Sequence, residues 1–343
     1  MKKTFILGAV LAMAASSAVA EEKVSYASYG GAYQEGVRKA ILDHLPKDHG
    51  MTVVDYVLAG GIRDIRTKVR ANAVDIDVAE LYGGLCDLAG KEELLVPLDY
   101  SKLPNAAGIP EHLRSKYWVG FTAYTSVLAY NKNVYGDKGP QNWTDFFDTD
   151  KFPGSRAISG NSPATNMEIA LMADGVAKDK IYPIDMERAM AKWSALKPNI
   201  SVQWATGAQA TQLATSEEVD MLSIWAARID AAIKEGAPYT YKLDDAVMDV
   251  ECLVIPKNSP NPEGAMRLIN HLLDPKYQAN LPNYIAYGPM NQDAFKQGLV
   301  PADKAASIVT STENLKKQLI TNMPYWAENH EKAQTMWDKT MMQ

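Results

Sequence analysis

An arginine and a glutamate carry the sharpest chemical signals in this chain. Arg228 falls in the first turn of a helix that follows Ser223-Ile224-Trp225, where the helix dipole disfavours a cation. A local rule broken at the carboxyl end of a strand points to a task. The plain alternative is an ion pair with Asp230 or Glu218. Glu251 lies within Val247–Ile255, whose alternation puts Val247, Asp249, Glu251 and Leu253 on one face. Met248, Val250, Cys252 and Val254 take the other. A carboxylate deep in an apolar strand is costly unless a cation joins it. A one-residue slip would reverse both carboxylates, so whether Asp249 also faces a ligand stays open. Glu80, beside Tyr82 at the end of its own strand, fits a binding role or a solvated strand end equally well.

Aromatic residues crowd the same turns: Tyr29, Tyr33, Tyr82, Tyr124, Trp225, Tyr284 and Tyr287. Aromatic faces combined with carboxylates hold organic ammonium ions. Trp143, Phe146 and Phe147 read as core. Gly30-Gly31 and Gly83-Gly84 follow strands, where α/β proteins place a ligand crevice. A tight strand-to-helix turn explains such pairs as well as ligand contact does, and Gly30 is retained as a candidate.

Enzyme signatures are missing. The sequence contains no G-x-S-x-G, H-E-x-x-H or Walker loop, and no G-x-G-x-x-G after a strand. Its five histidines show no metal-ligand spacing. No catalysis, cofactor or metal is expected. Cys86 and Cys252 are 166 residues apart in unlike contexts; buried, unpaired thiols are the favoured expectation, with a disulfide left open.

The elements that position these residues alternate short β-type runs with helical ones, which predicts an α/β fold with mainly parallel sheets. Strands are expected at Val24–Ser28, Thr52–Leu58, Asp75–Leu81, Phe121–Tyr130, Arg156–Ser159, Met221–Trp225 and Val247–Ile255. Helices are expected at Ala32–Leu45, Ile62–Ala71, Asn166–Ala173, Met186–Leu196, Ala227–Glu235 and Pro262–Leu273, with a helical tail.

The N-terminus says where such a protein would work. Lys2 and Lys3 precede an apolar run, Phe5 to Ala15, and then Ser16-Ser17-Ala18-Val19-Ala20. That pattern is a cleavable secretory signal over residues 1–20, with Glu21 rather than a lipid-bearing cysteine after the cut. No later run approaches the ~18 apolar residues a membrane helix needs. The remaining 323 residues exceed the size at which one core stops growing, so two lobes are expected. Without Lys2 and Lys3 the charge balance is 33 basic against 41 acidic residues, or −8. That argues against nucleic acid and anionic lipid as partners and suits small cations.

Taken in order along the chain, the motifs resemble the polyamine-type extracellular solute-binding proteins of ABC importers, the spermidine/putrescine-binding family. The match covers essentially the whole mature chain. It rests on Ser28-Tyr29-Gly30-Gly31-Ala32-Tyr33-Gln34-Glu35, Asn142-Trp143-Thr144-Asp145-Phe146-Phe147, Phe152-Pro153-Gly154, Glu251-Cys252-Leu253-Val254-Ile255-Pro256, Pro262 to Asn270, and Tyr287-Gly288-Pro289-Met290-Asn291.

The resemblance implies a two-lobe periplasmic binding protein of type II, a mainly parallel sheet flanked by helices in each lobe, with the ligand cleft between them. Residues 21–129 with 252–296 would form one lobe and 130–251 with 297–343 the other, closing like a hinge. It also implies a monomer that docks on an inner-membrane ABC permease. Glu251 falls where polyamine binders keep the carboxylate that grips an amine. Trp225, Tyr29 and Tyr287 match their cleft aromatics.

Three departures point elsewhere. Gly160-Asn161-Ser162 lacks the acid used for a second amine, Asp249 replaces an aromatic, and Arg228 adds a cation. These features liken the chain to relatives that bind ω-amino acids such as γ-aminobutyrate. The expected ligand is a small zwitterion held by Arg228 and Glu251, with Trp225, Tyr29, Tyr287, Gly30, Tyr82, Glu80 and Asp249 around it. A polyamine is the alternative. A sensory role that hands ligand to a receptor would use the same fold.

Overall fold

The computed structural model describes residues 22–341; the signal reading of residues 1–20 lies outside them. Among the described residues there are ten strands: β1 (Glu22–Ser28), β2 (Met51–Val57), β3 (Val78–Tyr82), β4 (Trp118–Asn131), β5 (Arg156–Ser159), β6 (Ile200–Trp204), β7 (Met221–Trp225), β8 (Tyr239–Tyr241), β9 (Val247–Val254) and β10 (Leu319–Ile320). They form one continuous path, β2-β1-β3-β9-β4-β7-β5-β6, with β8 on β4 and β10 on β9.

Taken whole the sheet is mixed, while the strands on each side of its centre are parallel, as expected. Strands β2-β1-β3 are parallel, as are β7-β5-β6, and the helices between them supply the crossovers that parallel pairing requires. The inner strands β4 and β9 run antiparallel to each other, to β7 and to β3 respectively. Antiparallel pairs of this kind need no helical return.

Packing divides along the same two strands. One apolar core takes Val119, Phe121 and Ala123 from β4, and Met248, Val250, Cys252, Leu253 and Val254 from β9. Beyond Tyr124, β4 feeds two other cores through Leu128 and Tyr130 on one face and Val127 and Ala129 on the other. The 14-residue strand is therefore buried almost throughout, and its near-continuous apolar run reflects cover on both faces.

Several helix starts follow from local chemistry. Asn142 Oδ1 accepts the Asp145 N–H at 2.9 Å at the head of Trp143–Phe147. Asn261 Oδ1 accepts the Gly264 N–H at 2.8 Å, with Pro262 in the first helical position. The expected helix Ala32–Leu45 is shorter. Gly31–Ala40 ends at Ile41, a 3-10 turn spans Leu42–His44, and Leu45–His49 restarts. Pro46 cannot continue a helix through its own position.

Cys86 and Cys252 form a disulfide, against the expectation of unpaired thiols; their Cα atoms are 6.3 Å apart. The antiparallel pairing of β3 with β9 sets Leu81 opposite Cys252. After Gly83-Gly84 the helix Leu85–Lys91 returns over that position and brings Cys86 onto it. Sequence distance concealed a contact that strand pairing creates. Among the described residues no helix is long and apolar enough to cross a membrane.

Candidate ligand-binding site

The ends of β1, β3, β5 and β7, the middles of β4 and β9, and two helix starts converge on a cavity of about 360 Å³. Tyr29 leaves β1, and Gly30 and Gly31 turn the chain with φ of 71° and 57°. Those backbone values favour glycine. The turn starts the helix Gly31–Ala40, whose Tyr33 also lines the cavity, one helical turn after Tyr29. Tyr82 closes β3, Tyr124 projects from β4, Trp225 closes β7 and Tyr287 comes from the loop before Gly288. Their rings pack in two groups: Tyr29 is 5.7 Å from Tyr33 and 6.4 Å from Tyr82, and Tyr33 is 5.0 Å from Tyr287, while Tyr124 is 5.6 Å from Trp225.

Glu251 supplies the acid. It is 5% exposed and faces the cavity from the middle of β9. A β-bulge between Gly120 and Thr122 resets the β4 register so that Thr122 stands opposite Glu251, a device common beside functional sites. The Thr122 hydroxyl donates to Glu251 Oε2, and Tyr33 Oη lies 3.0 Å from the same oxygen. Burial, followed by the charge of Glu80, pushes the Glu251 carboxyl up to about 8.

Arg228 supplies the cation. It is the third residue of the helix Ala226–Lys234 and is exposed to the cavity. Among the described residues no carboxylate pairs with it. Asp230 accepts instead from the Tyr241 hydroxyl at 2.8 Å, and Glu218 from Ser216 at 2.7 Å. The plain alternative of a locally satisfied arginine is thereby removed. Gly207 makes room for the side chain, because a Cβ there would stand 2.3 Å from Arg228 Nε.

Two polar atoms on the wall have no partner: Trp225 Nε1 and Tyr29 Oη are buried and unbonded. An unmet buried donor costs about 1–3 kcal/mol, and the indole N–H can be met only by an acceptor.

Three expected residues stand elsewhere. Gly30 does not line the cavity; its N–H donates to Gln34 Oε1 at 2.9 Å, so it serves the turn. Glu80 is neither a solvated strand end nor a cavity residue. It is fully buried behind the tyrosine wall, with Tyr26 and Ser28 hydroxyls each 2.6 Å from Oε2 and Tyr33 Oη 2.5 Å from Oε1. Asp249 shares the Glu251 face but opens on a smaller adjoining chamber with Thr165 and Thr321. It accepts from the Tyr124 hydroxyl at 2.8 Å and the Val250 N–H at 2.9 Å, and burial pushes it up to about 6. Tyr284 is 52% exposed and does not line the cavity.

The cavity also includes Tyr33, Tyr124, Asn161 and Ser162, which the sequence reading did not place among the binding residues. Among the described residues no cluster of three His, Cys, Asp or Glu could hold a metal ion.

Comparison with known proteins agrees with this architecture. A family model described as bacterial extracellular solute-binding protein matches residues 40–308. A γ-aminobutyric acid-binding protein of Pseudomonas aeruginosa is 27% identical over 94% of this chain and 92% of its own length. A spermidine/putrescine-binding periplasmic protein of Haemophilus influenzae is 25% identical over 77% of this chain and 75% of its own. Among solved structures, an ABC transporter substrate-binding protein from Bradyrhizobium japonicum superposes with a TM-score of 0.89 at 39% identity, covering 93% of this chain and 99% of that one.

Proposed function

We propose that this chain, which belongs to the bacterial extracellular solute-binding protein family, is the periplasmic substrate-binding component of an ABC importer and captures a small ω-amino acid. The ligand that fits best is γ-aminobutyrate. One observation carries the reading: Arg228 and Glu251 line the same aromatic-walled cavity, and among the described residues Arg228 is paired with no carboxylate. A zwitterion with separated ends meets both charges at once.

In this reading Arg228 forks onto the ligand carboxylate with paired N–H donors, and the orphaned Trp225 N–H can add a third. Glu251 takes the ammonium, assisted by the faces of Tyr29, Tyr33 and Tyr287. The halves on either side of β4 and β9 act as lobes that close over the ligand, and the closed form docks on the permease. The γ-aminobutyric acid-binding relative supports the ligand class.

A polyamine is the second reading, favoured by Asp249 in the adjoining chamber and by the spermidine/putrescine-binding relative. A diamine, however, would set one ammonium against Arg228, a repulsion strengthened in a desolvated cleft. The test is Arg228→Ala. Affinity for γ-aminobutyrate should fall about 100-fold, the loss of a charge-assisted pair, with no loss for putrescine. Unchanged γ-aminobutyrate affinity would sink the reading.

A further inference from the structure

Glu80 and Glu251 hold more negative charge than their surroundings neutralise. They come from the paired strands β3 and β9, and the single hydroxyl of Tyr33 stands between them, 2.5 Å from one and 3.0 Å from the other. The other donors are the neutral hydroxyls of Tyr26, Ser28 and Thr122. Among the described residues neither carboxylate has an ion-pair partner, and both are buried. Two carboxylates in such a place cannot both ionise cheaply.

The remaining groups around the pair do not relieve it. Tyr26 and Tyr29 of the first strand and its turn, Tyr33 of the helix, Tyr124 of β4 and Tyr287 of the loop are all held above the ordinary phenol range, first by burial, and stay neutral. Asp249, two residues away on β9, adds repulsion. Arg228 lowers Tyr287 from across the cavity but forms no ion pair with either acid.

We propose that Glu80 is the positioning partner of the amine-binding carboxylate: it shares one proton with Glu251 in the empty cleft, and the arriving ammonium expels that proton to solvent. The inference deepens the reading of an amine-bearing ligand and rests on it. A carboxyl O–H bond breaks, the proton passes to the buffer, and the ammonium N–H groups bond to the freed carboxylate. The charge of the pair with its cation is the same before and after. Glu80 touches no ligand in this scheme and acts through Tyr33.

Two measurements on the full mature chain test it. In ligand-free protein carrying ¹³C-labelled glutamate, a carboxyl resonance should titrate near neutral pH and move down by about a unit or more in Glu80→Gln. Glu168, pushed up to about 7 by burial and bonded to Tyr182 and Trp326, should keep its signal in both proteins. Glu251→Gln reads the same coupling from the other partner if Glu80→Gln does not fold. Calorimetry of γ-aminobutyrate near pH 7, in buffers of different ionisation heat, should show about one proton released per ligand and far less in Glu80→Gln. Full ionisation of both carboxyls in the empty cleft, or binding with no proton release, would overturn the proposal. Failure of γ-aminobutyrate to bind would count against the ligand reading alone, with the shared proton still decided by the carboxyl titration.

Discussion

Buried acids give this protein a pH response of unusual sign. Glu251 is pushed up to about 8, Glu168 to about 7 and Asp249 to about 6, each first by burial. An unfolded chain releases these protons near pH 4, so between about pH 4 and 8 the folded state holds more of them. Stability of the ligand-free protein should therefore fall as pH rises through that window, by a few kcal/mol in all. Urea unfolding at about pH 6 and about pH 8.5 checks the sign; greater stability at the higher pH would contradict it. At this scale the sequence was informative where chemistry clashed with context. Arg228 at a helix start and Glu251 in an apolar strand both face the cavity. Glu80 reads equally as a binding residue or a solvated strand end because nothing local reveals that Tyr26, Ser28 and Tyr33 converge on it from an adjacent strand and helix.

Turns and strand pairings then decide where those residues go. The strand-turn-helix units at Tyr29 and at Trp225 were legible from apolar runs followed by helical periodicity. Strand β6, half-exposed at the edge of the sheet, and the helix Gly207–Thr215, rich in Ala, Thr and Gln, were not, because neither has a strong apolar stripe. That second helix matters to the site. Replacing Gly207 with Ala should displace the Arg228 guanidinium rather than unfold the protein, since the clashing atoms belong to a flexible side chain. About tenfold weaker γ-aminobutyrate binding with an unchanged circular dichroism spectrum is expected. The Cys86–Cys252 disulfide was hidden for a different reason: it depends on β3–β9 register, which is a long-range property. Closing a loop of 166 residues, it should stabilise the fold by about 2–5 kcal/mol. The double variant C86A/C252A should lose that amount in denaturant unfolding.

For the molecule as a whole, β4 and β9 are the strands common to both halves. β4 changes the core it serves between Ala123 and Val127, where a hinge would act, whereas β9 gives only its first residue, Val247, to the second core. The cavity lies beside these crossings and draws its acid from β9 and its cation from the helix that follows β7. Closure would bring the two charges toward a bound zwitterion, and a ligand with only one matching charge would leave the other unmet and desolvated. The most direct test is titration calorimetry of refolded, ligand-stripped protein with γ-aminobutyrate and putrescine side by side. Tight binding of the amino acid, with the diamine at least about 100-fold weaker, is the predicted result; tight binding of the diamine alone would contradict the Arg228–Glu251 clamp.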